Sequence, residues 1–207
     1  MNQTRRYVLL CSAAAMLGLL VYSGLHAYDP ATWAMEVFPV VIAMAVMAGS
    51  YRRFPLTTLL YVCIGVHALV LIVGGLYTYA RVPLGFQIAD LLQMQRNPYD
   101  KIGHFFQGFV PALVAREILI RAAHVAGRRM LDFVVVCIAL AISAAYELIE
   151  WAAAVMLGQG ADDFLGTQGY AWDTQSDMLM ALIGAFAALL LFARVHDRQL
   201  EAVQRKA

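Results

Sequence analysis

Apolar residues run in six long stretches along this chain: Tyr7 to Tyr28, Trp33 to Ser50, Pro55 to Tyr79, Ile102 to Ile120, Leu131 to Leu157 and Thr174 to Val195. A helix needs about 20 apolar residues to cross the hydrocarbon core of a bilayer, and the runs cluster around that length. The pattern predicts an all-α polytopic membrane bundle of about six spanning helices, with residues 1–207 forming a single integral membrane domain and no soluble domain. The second run is the shortest and carries Glu36 and Pro39 near its expected start, where proline in a first helical turn is tolerated. The last three runs differ from the first three because ionisable residues break into them.

Composition agrees with the pattern: 62% of residues are hydrophobic and 14% charged, and the mean hydropathy of +0.68 excludes a soluble domain of this size. A net charge of +1 gives no basic surface for nucleic acid, and no nucleic-acid partner is expected. The positions of the basic residues then set an orientation, since short loops rich in Lys and Arg stay in the cytoplasm. Arg5, Arg6, Arg52, Arg53, Arg121, Arg128, Arg129, Arg194, Arg198, Arg205 and Lys206 fall on one side of the six-run scheme. The other side holds Arg81, Arg96 and Lys101 among seven acids. Both termini are therefore expected in the cytoplasm. Arg5-Arg6 and the Leu25-His26-Ala27 tail imitate a secretory signal, but the apolar run exceeds the 7–15 residues of a signal core, so a retained first helix is expected. Cys11, Cys63 and Cys137 lie inside apolar runs without a Cys-x-x-Cys pair and read as small apolar residues.

Charges inside membrane helices are expensive and mark function by default. Here they come as Asp100-Lys101-x-x-His104, Glu147-x-x-Glu150-Trp151 and Asp173-x-x-x-Asp177. Residues three or four apart share a helix face, so each of three helices offers stacked polar groups, and the topology puts all of them near the outer surface. Asp100, Lys101, His104, Glu147, Glu150, Asp173 and Asp177 form the candidate catalytic cluster. His104, Glu147, Glu150 and Asp177 are its candidate ligands for a divalent metal, oxygen donors favouring Mg, Ca or Mn and the imidazole admitting Zn or Fe. The alternative is structural: the carboxylates pair with Lys101, His104 or backbone groups and only fix helix packing. Gly103, Gly108, Ala181, Gly184 and Ala185 are small residues of the kind that let membrane helices approach closely, within the chain or between two copies in a homodimer. The Gly-rich segment from Gly158 to Thr174 reads either as a lid, with Asp163, Gln168 and Trp172 as candidate substrate contacts, or as an interfacial loop anchored by Tyr170 and Trp172. His67 reads as a hydrogen-bond partner within the bundle, His26, His124 and His196 as solvated, and Arg116-Glu117 as a salt-bridged anchor.

The strings Asp-Lys-Ile-Gly-His-Phe-Phe-Gln-Gly-Phe, Tyr-Glu-Leu-Ile-Glu-Trp and Phe-Leu-Gly-Thr-Gln-Gly-Tyr-Ala-Trp-Asp-Thr-Gln-Ser-Asp-Met resemble those of the YjdF family of bacterial inner-membrane proteins. The resemblance covers about Asp100 to Ala185. It implies an inner-membrane location and a helical membrane architecture, and no particular reaction. A weaker similarity links the layout to VanZ-like membrane proteins: Asp100, Lys101 and His104 fit one element, Glu147 a second, and Asp177 with Gly184 a third. Glu150 departs from that pattern where Gln is usual, Ala181 where Asn is usual, and the Arg before the last Asp is absent. Two function classes follow for the cluster. One is an enzyme or binding site for an envelope lipid or lipid-linked headgroup, and the other a small proton-coupled transporter; a non-catalytic role in a partner complex ranks third.

Overall fold

The computed structural model describes residues 3–157 and 168–205. Its elements are α1 (Gln3–Leu25), α2 (Pro30–Ser50), α3 (Thr58–Tyr77), a 3₁₀ turn (Tyr79–Arg81), α4 (Pro83–Leu92), α5 (Tyr99–Arg121), α6 (Arg128–Leu157), α7 (Asp173–Ala187), a π-helical turn (Ala188–Phe192) and α8 (Ala193–Gln204). The chain is an all-α membrane bundle. Among the described residues, five helical segments are long and apolar enough to cross a bilayer: α1, α2, α3, Arg128–Met156 and Asp173–Val203. The remaining expected span is α5, which has 23 residues but carries Asp100, Lys101, His104, Arg116 and Glu117. A helix that polar needs shielding from lipid, and α5 has it: it lies against α3, α6 and α7.

Local signals explain the helix starts. Asp29 caps α2 by accepting from Ala31 N and Thr32 N, with Pro30 at the first helical position. The helix therefore begins earlier than expected, and Pro39 lies well inside it rather than in its first turn. Glu36 in consequence sits nearly two turns into the bundle and is buried. Thr57 caps α3 through Leu60 N. Helix α4 was not expected from the sequence, although Pro83 starts it and Gln93 ends it in a left-handed conformation (φ 52°).

The tightest contact is between α5 and α7. A Cβ placed on Gly108 would collide with the carbonyl of Ala181, and one on Gly184 with the carbonyl of Phe105. Gly108, Ala181, Gly184 and Ala185 are all buried. These small residues are spent within the chain, so a second copy would have to pack on another face. Midway along α5, Phe109, Ala112 and Leu113 join Leu60, Val135, Ala139, Ala185 and Ala188 in an apolar core, with Phe109 edge-on to Phe192. This layer separates two polar clusters, one near each end of α5. Replacing Leu113, fully buried in that layer, by Ala would cost about 2–5 kcal/mol.

Candidate functional site

The first turns of α5 and α7 and the last half of α6 meet at one end of the bundle. Asp100 and Asp173 each lie in the first turn of a helix, where the macrodipole favours a negative charge. His104 is buried at the centre. Its Nε2 is 3.4 Å from Asp100 Oδ1, and its Nδ1 is 3.0 Å from Gln107 Oε1 and 3.6 Å from Glu147 Oε1. Both ring nitrogens thus face oxygen acceptors, which a neutral imidazole, with one N–H, satisfies only on one side. Glu147 Oε1 is buried without a hydrogen-bond partner among the described residues. Two sets of groups place ligand atoms within 4.8 Å of one another: Asp100, His104 and Asp177, and His104, Glu147 and Glu150.

The other flank is closed on itself. Lys101 Nζ donates to Asp173 Oδ1 (3.0 Å), Ser176 Oγ (2.7 Å) and Asp177 Oδ1 (2.6 Å), which uses all three of its N–H bonds. Arg96 Nη1 donates to Asp173 Oδ1 at 3.0 Å, and its guanidinium lies over the ring of Tyr170 at 4.3 Å. Asp173 and Asp177 are therefore matched by two cations, whereas Asp100, Glu147 and Glu150 share the imidazole of His104.

A fourth carboxylate joins them from outside the expected set. Glu36 of α2 accepts from the Tyr146 hydroxyl at 3.3 Å. Together with Leu71, Tyr79, Asp100, Gly103, His104, Gln107, Tyr146 and Glu150 it lines a cavity of about 20 Å³, room for one water or a bare cation. Its sequence signal was an acid inside an apolar run of membrane length, and the misplaced helix start hid it. Tyr79 and Tyr146 gave no such signal, since tyrosines are ordinary in membrane helices and at their ends.

The candidate lid residues separate. Asp163 lies outside the described residues. Gln168 clips onto the backbone of Asn97 in both directions, accepting from its N at 3.1 Å and donating to its O at 3.0 Å. Trp172 is exposed. Gln168 is thus bonded to the Asn97 backbone rather than placed among the cavity-lining residues. His67 stacks on Phe106 with centroids 6.2 Å apart, and its Nε2 has no hydrogen-bond partner among the described residues.

Near the opposite end of α5 lies a second buried polar cluster, in which Arg116 and Glu117 are both salt-bridged, as expected, and His196 is not solvated. Arg116 and Glu117 do not pair with each other. Glu117 Oε2 accepts from the Thr57 hydroxyl at 2.8 Å and His196 Nε2 at 3.0 Å, and its Oε1 from Thr57 N at 3.1 Å and Arg121 Nη1 at 2.9 Å. Arg116 reaches Asp197 at 2.5 Å and donates to His196 Nδ1 at 3.3 Å. His196, expected in solvent, is fully buried, because α8 continues α7 along the bundle instead of leaving it. A neutral ring with its proton on Nε2 satisfies both of its partners.

A model of predicted membrane proteins, DUF2238, matches residues 8–198. The chain belongs to this family. It is 58% identical over 201 residues to the inner membrane protein YjdF of Escherichia coli (strain K12), covering 97% of this chain and 96% of that one, in line with the resemblance seen in its motifs. No solved structure matches it. Neither the family description nor the relative's name specifies a reaction, so family membership supports a membrane protein and leaves the chemistry of the cluster to its geometry.

Proposed function

We propose that the cluster around His104 holds a divalent cation and forms the site at which this protein binds or acts on the polar headgroup of an envelope lipid or lipid-linked molecule. The observation that carries the reading is the crowding of Glu36, Asp100, Glu147 and Glu150 around one imidazole, with Glu147 Oε1 buried and without a hydrogen-bond partner among the described residues. Crowded buried acids must either hold protons or be matched by a cation, and a cation at His104, Glu147 and Glu150 would match them. Three protein ligands leave coordination positions for water or substrate, where a metal polarises a bound oxygen or generates a nucleophile. Asp100 and Asp177 supply a neighbouring ligand set through the same imidazole.

In this reading residues 1–207 form one membrane domain with both termini cytoplasmic, which places the site toward the outer leaflet of the bacterial inner membrane. Reporter fusions at the C-terminus and at Asp90 test the orientation, and an extracytoplasmic C-terminus overturns it. Elemental analysis of the purified protein, comparing wild type with Glu147→Gln and Asp177→Asn at matched folding, tests the cation. About one equivalent in wild type, lost in Glu147→Gln, is expected; no metal in well-folded wild type after loading with Mg, Mn or Zn overturns it.

A proton-coupled transporter is the second reading. It is supported by the water-sized cavity whose lining includes the three carboxyl groups of Glu36, Asp100 and Glu150, since like-charged acids at one site favour retention of a proton. Proton flux in proteoliposomes that Glu36→Gln abolishes would favour it over the first.

A further inference from the structure

The ten residues of α4 rise about 15 Å, half the roughly 30 Å hydrocarbon thickness, so this helix does not cross the membrane. It connects the end of α3 to the start of α5, at the end of the bundle where the His104 cluster lies. Gly85 and Ala89 form its buried side, with the side chain of Asn97 against Gly85. Leu84, Ile88 and Leu91 follow i, i+4, i+7 spacing and make one apolar stripe. Leu84 and Leu91 are exposed, Leu91 at 81%, and Leu92 and Met94 extend the exposed apolar surface. The polar Gln87 and Asp90 lie off that stripe, Asp90 on the side away from it.

Water is a poor solvent for that stripe, while the exposed apolar surface of α3, which includes Tyr77, runs up to the turn from which α4 starts. The flanks carry the residues of a membrane–water boundary: Arg81 stacks over Tyr28 at 4.2 Å and Arg96 over Tyr170 at 4.3 Å, with Trp172 exposed nearby in sequence. Helix α4 itself has no Lys or Arg, so attraction to anionic headgroups does not hold it; its apolar stripe does. The end before α4 reaches the site, and the end after it is held by local hydrogen bonds. Tyr79, just before α4, lines the cavity, and Asn97, just after it, donates to Val82 O at 2.9 Å and exchanges hydrogen bonds with Gln168.

We infer that α4 is an in-plane interfacial helix whose Leu84–Ile88–Leu91 stripe seats the acyl chains of a phospholipid in the leaflet beside the cluster. The seat stands on the geometry of α4 and does not depend on a metal at His104. The test uses the full chain with Cys11, Cys63 and Cys137 replaced by Ser, and single cysteines introduced as Leu84→Cys, Leu91→Cys or Asp90→Cys. Each carries a nitroxide label, in liposomes of phosphatidylethanolamine and phosphatidylglycerol. Power saturation with oxygen and with a water-soluble nickel complex reads the surroundings. Labels at 84 and 91 are expected to favour oxygen several-fold, and the label at 90 the nickel complex. Equal access of nickel to positions 91 and 90 overturns the inference in favour of an aqueous helix. Loss of access for both reagents at 91 overturns it in favour of a protein partner or a second copy. Metal content of the same preparation is read separately, so failure of the lipid seat leaves the cation reading standing.

Discussion

The two buried polar clusters of this protein hang on the same helix and differ in how they are balanced. At the Glu117 end, Glu117 pairs with Arg121 and Asp197 with Arg116 and, more loosely, with Arg128, while the imidazole of His196 lies between Glu117 and Arg116. Both carboxylate oxygens of Glu117 are bonded, and among the buried atoms of the described residues Arg116 Nε and Asp132 Oδ1 have no hydrogen-bond partner there. At the His104 end the Lys101 flank is balanced in the same way, but Glu36, Asp100, Glu147 and Glu150 crowd one imidazole and leave a buried oxygen unmatched. A polar network whose members are all satisfied rigidifies a fold, and one left partly unsatisfied is costly. The difference separates the acids whose partners lie within the protein from the crowded set on which the proposed cation site rests.

Substitutions sharpen the contrast. The largest loss of stability is expected from Glu117→Ala, which strands Arg121 and His196 and removes the partner of the Thr57 cap; about 3–5 kcal/mol is the usual cost of breaking such a buried pair. Chemical unfolding in detergent would measure it, and a loss under 1 kcal/mol would erase the distinction between the two ends. Lys101→Met should cost about 2 kcal/mol by leaving Asp173 and Asp177 with fewer partners, seen as a lower unfolding midpoint, and recovered in part by adding Asp177→Asn. Gln168→Ala removes two hydrogen bonds to Asn97 and should cost about 1 kcal/mol, with thermal stability in liposomes as the readout. The smallest effect on stability is expected for Glu147→Gln, which removes a charge from the crowded side. In metal-free buffer its midpoint should equal or exceed that of wild type, while its bound metal falls to background. A marked destabilisation there, with metal retained, would make Glu147 a packing residue.

Much of the architecture was readable in the chain because bilayer thickness sets helix length, and charges within apolar runs stand out against it. Asp100, His104, Glu147, Glu150 and Asp177 fell into one place because helical spacing and alternating direction constrain three consecutive spans strongly. Other residues escaped for identifiable reasons. Glu36 was hidden by one error in a helix start. His196 looked solvated because the last apolar run ends at Val195, while the helix itself continues to Gln204. The pairing of Arg116 with Asp197, and of Glu117 with Thr57, links positions 60 to 81 residues apart, and periodicity along a single helix carries no information about such partners. Helix α4 was too short and too mixed in polarity to stand out between its neighbours.

The π-helical turn at Ala188–Phe192 explains how one continuous helix serves both clusters. Asp177 and His196 are 19 positions apart, which at 3.6 residues per turn leaves them roughly a quarter-turn out of phase. A π turn takes up about one residue of that excess and brings His196 back to the face that Asp177 presents to α5. The turn acts as a phase correction between two registers. The segment before it and the segment after it can therefore drift independently in evolution, so insertions and deletions among relatives should gather at these five residues and spare both polar faces.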